Sequence, residues 1–176
     1  MIGLPEPLGA YLTAYDVLTR DAVLRAHAGL RDELQRPETR STLLAWLASD
    51  DAWSPEGAGV LPAVLEFLRP AAVPSEAARV RPLLMHPDPP VRRGAFEFLL
   101  TLCFSGRNPE ALLLLLGGML MDEDETVRRT GADYASRAPA DGELRDFLKR
   151  WLVLAPARGW TGSESYELVK RLLGAA

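Results

Sequence analysis

Apolar positions recur at helical spacing along most of the chain, and proline and capping residues cut the pattern into short pieces. Leu8, Tyr11, Leu12, Tyr15 and Leu18 predict a helix over 6–18. Leu24, Ala28 and Leu34 predict a second over 21–35, which Pro37 stops. Leu43, Leu44 and Leu47 mark a third over 38–48. Ser54-Pro55-Glu56 is a start signal: a capping hydroxyl, proline at the first helical position and an acid in the first turn. The helix it opens runs over 55–69 despite Pro62 in its interior, and Pro70 closes it. Helices are expected over 74–85, 89–104, 109–121, 125–137, 143–155 and 164–173. Ten helices in 176 residues make five consecutive hairpins, each of about 35 residues, a period typical of helical repeats.

The period is also written in residue identities. Val91-Arg92-Arg93 returns 36 positions later as Val127-Arg128-Arg129. The same shift aligns Leu84 with Leu120, Asp88 with Asp124, Glu97 with Asp133 and Phe98 with Tyr134. The first copy reads from Val80 through Pro82, Asp88 and Val91-Arg92 to the small pair Gly94-Ala95; the second runs from Met119 through Asp124 and Val127-Arg128 to Gly131-Ala132. These residues resemble the HEAT-repeat (armadillo-like) family, with the clear copies at 77–104 and 111–137. The family's first helix often holds an internal proline, matched by Pro82 and missing from the second copy. An aspartate turn and Val-Arg then open its second helix. The resemblance implies an all-α fold, an α–α superhelix (HEAT-like solenoid) of about five hairpins in a single domain over 1–176. It also implies that Asp88, Arg92, Asp124 and Arg128 form a ladder between adjacent repeats.

Composition agrees with the helical reading. Leu (31) and Ala (24) far outnumber the β-branched Ile (1), Val (10) and Thr (8), which excludes an all-β protein. The formal charge is −4, carried by residues 1–70; residues 71–176 are balanced at fourteen charges of each sign. No basic block suggests a phosphate-tracking surface, so the charge argues against nucleic acid as partner. The longest apolar run, Ala111 to Met121, falls well short of the roughly 20 residues a membrane span needs. The N-terminus lacks the charged and apolar regions of a signal peptide, and Cys103 has no second cysteine to pair with. A cytoplasmic protein without membrane contact is the expectation.

Candidate chemistry is sparse. His27 and His86 have no companion at metal-ligand spacing, and the acidic run Asp122-Glu123-Asp124-Glu125 lacks the alternation and glycine of a calcium loop. It reads as helix-terminal acid that complements the dipole. Cys103, in an apolar helix, reads as a packing residue. No metal, cofactor or catalytic residue is therefore expected. On the helix over 89–104, Val91, Ala95, Phe98 and Leu102 form a core stripe. Phe96, Leu100 and Phe104 form a second, read as burial against neighbours or as an apolar contact surface. The helix over 109–121 is apolar all round and reads as buried on every side. Trp46 and Trp151 read as core; Trp53 and Trp160 sit in loops, where contact and lid roles are equally open.

In a HEAT-like stack the second helices line the concave surface. The resemblance thereby makes Arg93, Glu97, Leu100, Arg129 and Asp133 the candidate partner-binding patch. The implied function is non-enzymatic protein–protein interaction, as an adaptor, scaffold or assembly subunit; a homo-oligomer stays open. The alternatives are an inhibitor or immunity-type protein and, with less support, a HEAT-like enzyme such as a DNA glycosylase.

Overall fold

The computed structural model describes residues 36–106, 108–138 and 142–174. The helices expected over 6–18 and 21–35, and His27, lie outside the described residues. Among the described residues the chain is all-α, with eight α-helices, five short 3-10 turns and no strand. Contacts divide the chain into two compact units, residues 1–102 and 103–176.

The first unit begins with α1 (Pro37–Leu47), which buries Leu43, Leu44, Trp46 and Leu47. A 3-10 turn over Asp50–Trp53 leads to α2 (Pro55–Leu68). The Ser54 side chain accepts the Gly57 N–H at 3.0 Å, the cap that its sequence predicts. Pro62 is tolerated inside α2, at a cost of about 3 kcal/mol for an interior proline. Burial of Leu61, Ala63, Val64 and Leu65 around it offsets that cost.

The helix expected over 74–85 is broken into three pieces: a 3-10 turn at Pro74–Glu76, the single turn α3 (Ala77–Val80), and a second 3-10 segment at Arg81–Met85. Pro82 is the physical reason. It has no N–H for an α-helical bond, and its ring would crowd the carbonyl one turn earlier. Buried Val80 and Leu83 keep the segment seated. Helix α4 (Pro89–Gly106) follows, and the boundary between the units falls within it.

Val91, Ala95 and Phe98 of α4 are fully buried, while Leu102, the fourth member of the expected core stripe, is half-buried. Phe96 and Leu100 on the second stripe are buried as well, while Phe104 is partly exposed. Helices α2 and α4 approach closely at Gly94, where a Cβ would lie 3.1 Å from Leu65 Cδ1. One polar staple ties α1 to the rest of this unit. Arg40 donates through Nε to Glu76 at 2.7 Å, again through Nη2, and through Nη1 to the Leu68 carbonyl at the end of α2 at 3.1 Å. Glu76 also accepts the Val73 N–H at 3.1 Å, so its buried carboxylate is fully engaged.

The second unit holds the end of α4, α5 (Pro109–Leu120), α6 (Glu125–Arg137), α7 (Gly142–Leu154), a 3-10 turn at Ala155–Arg158 and α8 (Glu164–Leu172). Asn108, Asp124 and Ser163 cap α5, α6 and α8 with their side chains. Helix α5 is not buried on every side. It packs through Leu116, Met119 and Leu120, whereas Leu114 is 77% exposed. A helix between two neighbours covers only the faces they touch, and α5 has α6 on one side and α7 on another.

The tight approach in this unit is at Gly131 on α6, where a Cβ would stand 2.7 Å from Met119 Cβ. Gly117 meets the Phe147 ring at an ordinary 3.6 Å. Trp151 on α7 is buried and donates its indole N–H to the Leu120 carbonyl at 2.6 Å, satisfying an otherwise open helix end.

Two glycine substitutions separate packing from helix propensity. Gly59→Ala, with nothing within 4 Å of the new methyl, should raise stability by about 0.5–1 kcal/mol. Gly131→Ala should lower it by about 1–3 kcal/mol through overpacking against Met119. Thermal melts of both check the expectation. Val91→Asp puts an unpaired carboxylate in the core and should abolish the cooperative melt.

Candidate functional site

Two consecutive arginines lie near the start of both α4 and α6, and the structure gives the two members different work. The first member locks the preceding turn. Arg92 Nη1 donates to the carbonyls of His86 at 2.9 Å and Pro87 at 2.8 Å. Arg128 Nη1 donates to the equivalent carbonyls of Asp122 at 2.8 Å and Glu123 at 2.6 Å. The two turns thus share one bonding scheme, 36 residues apart.

Arg128 is buried further. Its Nη2 pairs with Glu125 at 2.7 Å, and its guanidinium lies 4.3 Å from the centre of the Trp160 ring. Glu125 in turn accepts the Ser165 N–H at 2.8 Å and the Ser165 hydroxyl at 3.0 Å, anchoring the start of α8. The inter-repeat Asp–Arg ladder is therefore corrected for Arg128: its acid partner is Glu125, within its own helix. Asp124 accepts the Thr126 and Val127 N–H groups at the head of that helix.

The second member of each pair reaches a cleft. Arg93 and Glu97 line a depression of about 340 Å³ in the first unit, with Arg69, Glu66 and Asp88 around them and Pro62 and Gly94 in the wall. Arg69 and Glu97 pair at 2.8 Å. Burial pushes the Glu97 carboxyl above its usual range, against the pull of Arg69 and Arg93; nearby Glu66 adds to the upward push. Arg129 and Asp133 line a depression of about 280 Å³ in the second unit, bordered by Glu164, Glu167 and Arg171. Arg129 and Glu164 pair at 2.9 Å, both more than half exposed.

Four of the five candidate residues therefore border mixed-charge clefts, at matching positions of two repeats. Leu100 does not. It is fully buried, because its face of α4 is covered, and it is not available to a partner.

These clefts suit hydrogen bonding and charge pairing. Cys103 carries a thiol whose pKa is raised by burial, the opposite of an activated nucleophile. Among the described residues no group of three or more His, Cys, Asp or Glu side chains could hold a metal, and no helix is long and apolar enough to cross a membrane. Trp160 stacks on Trp151 with ring centres 6.0 Å apart and supports Arg128, so its indole is used in packing. Trp53 lies 4.9 Å from the His86 ring and stays 42% exposed.

Sequence reasoning missed the Arg40–Glu76 pair and the Glu125–Ser165 link. Both join segments far apart in sequence, and the available signal was weak: Arg40 and Glu76 stand 36 residues apart, one repeat length.

Glu97→Gln should change stability by less than about 1 kcal/mol at pH 7, since the pair it removes is partly solvated and its charge is disfavoured by burial. The sign follows from the raised pKa. The folded state holds the Glu97 proton more tightly than the unfolded one, so wild-type stability gains from this group as pH falls from 7 toward 4.5. The variant should lose that gain, as denaturant titrations at several pH values would show. No family model, no curated protein and no solved structure matches the chain.

Proposed function

We propose that the chain is a HEAT-like stack of helical hairpins that acts by binding another protein, without chemistry of its own. Support for the repeat comes from the shared turn scheme, in which Arg92 and Arg128 each bridge the carbonyls five and six residues back. One observation carries the binding role. At the neighbouring positions, Arg93 with Glu97 and Arg129 with Asp133 face clefts that mix both charge signs. Charges of both signs lining a cleft suit pairing with a partner's charged side chains, even where some also pair within the chain, as in Arg69–Glu97 and Arg129–Glu164. Shallow mixed-charge depressions also suit this role better than that of a glycosylase, which needs a basic groove.

An adaptor, an assembly subunit and an inhibitor all bind through such a surface. The partner's identity distinguishes them.

The variant Arg93→Glu/Arg129→Glu reverses both cations. It should leave the melting temperature within a few degrees, because exposed pairs such as Arg129–Glu164 contribute at most about 1 kcal/mol. Affinity capture from the native cells, with mass spectrometry of wild type and variant in parallel, should show a specific protein lost at least tenfold. Equal recovery of every captured protein would remove this surface from the binding role.

A further inference from the structure

The two turns that share the arginine lock share a second bond, made by different side chains. In the second copy the Asp122 carboxylate accepts the Asp124 N–H at 2.9 Å. In the first copy the aligned residue is His86, and its Nδ1 accepts the Asp88 N–H at 3.1 Å. An imidazole can accept there only when Nδ1 has no proton. The proton of the neutral ring then sits on Nε2, which is buried and has no partner. The ring itself is buried, 2% exposed, against Trp53.

We propose that His86 makes the turn between α3 and α4 an acid-sensitive latch: protonation of the ring releases the Asp88 N–H and loosens the turn, while the aspartate-locked turn between α5 and α6 stays closed. The geometry leaves a protonated His86 with nowhere good to go. Both ring nitrogens become donors, so Nδ1 would face the N–H it now accepts, and Nε2 would carry positive charge in a site without an acceptor. The charged groups acting on the ring are Asp88 and Arg92, from its own turn and from α4. From the opposite element, the 50–53 turn, Trp53 presents an uncharged indole.

Burial lowers the His86 pKa below 6.5; the Asp88 carboxylate and the Asp88 backbone both pull the other way without reversing the direction, and Arg92 adds a smaller push downward. A lowered histidine pKa means that the unfolded chain takes up the proton first. Stability from this turn is therefore complete above about pH 6.5 and falls as pH drops below it. The aspartate latch presents a carboxyl oxygen, which keeps lone pairs to accept the Asp124 N–H in either protonation state. Asp88 and Pro90 border the first cleft, so the latch also sits at the rim of that depression.

The test follows the two latch amides by ¹⁵N NMR between pH 7.5 and 4.5, with hydrogen exchange measured at each step. The Asp88 amide should shift with the same midpoint as the His86 ring, below 6.5, and its exchange should accelerate about tenfold beyond the intrinsic pH effect. The Asp124 amide should keep its shift and its protection through the His86 titration. His86→Asp, which copies the other latch, should remove the histidine-linked transition from the Asp88 amide. An Asp88 amide that keeps its protection through the His86 titration would overturn the proposal, as would two amides titrating together in the wild-type protein. The wild-type measurement decides the matter even where the variant does not fold. Neither readout depends on a binding partner.

Discussion

A helical hairpin has to do something with the carbonyls of its connecting turn, which neither helix can satisfy. Here the solution is a guanidinium lent back from the second helix, one group spanning two carbonyls. Everything near the second turn depends on that placement. With Arg128 fixed against the carbonyls of Asp122 and Glu123, Glu125 comes within reach of its other nitrogen and still has oxygen lone pairs for Ser165. Trp160 then covers the flat face of the cation, and Trp151 backs Trp160. A buried arginine would be costly alone; the carbonyls, the carboxylate and the indole together make burial tolerable. One of its nitrogens, Nε, still lacks a partner.

The division of labour within each arginine pair follows from helix geometry. Adjacent residues on a helix point about 100° apart, so one can turn back to the loop while the next faces outward. Arg92 and Arg128 take the inner position; Arg93 and Arg129 take the cleft. A paired basic motif that looks like a ligand site thus contains one cation that locks the turn and one that lines a cleft, at both copies.

Much of the fold was legible in the sequence because its signals are local. Proline starts, the caps at Ser54 and Asp124, and the stripe of Val91, Ala95 and Phe98 all act within a turn or two, and all are found in place. Less local features were not. The 74–85 segment carries helical periodicity, yet Pro82 and the space left for Val80 and Leu83 favour 3-10 winding. The apolar run in α5 cannot say which of its faces a neighbour will cover, so Leu114 stands exposed where the pattern implied burial.

The candidate site shows the same division. Matching positions in two repeats located Arg93, Glu97, Arg129 and Asp133 at clefts, but Leu100 was assigned outward on a helix whose two apolar faces are both covered. The surroundings of Arg128 were out of reach for a further reason: Trp160 on its guanidinium and Ser165 on its partner Glu125 lie more than thirty residues away and carry no mark of their destination.

The Arg40–Glu76 staple bears on how the first unit comes apart. A helix that packs through one face can detach before the rest of its unit unfolds. Arg40 counters this in α1 by reaching the last turn of α2 and the segment beyond it at once. Losing α1 would strand the buried Glu76 carboxylate without its cation, a penalty of several kcal/mol for an unpaired buried charge. Detaching α1 therefore costs more than the loss of its apolar contacts alone. An ion pair spanning 36 residues thus ties the release of α1 to the loosening of the segment that follows α2.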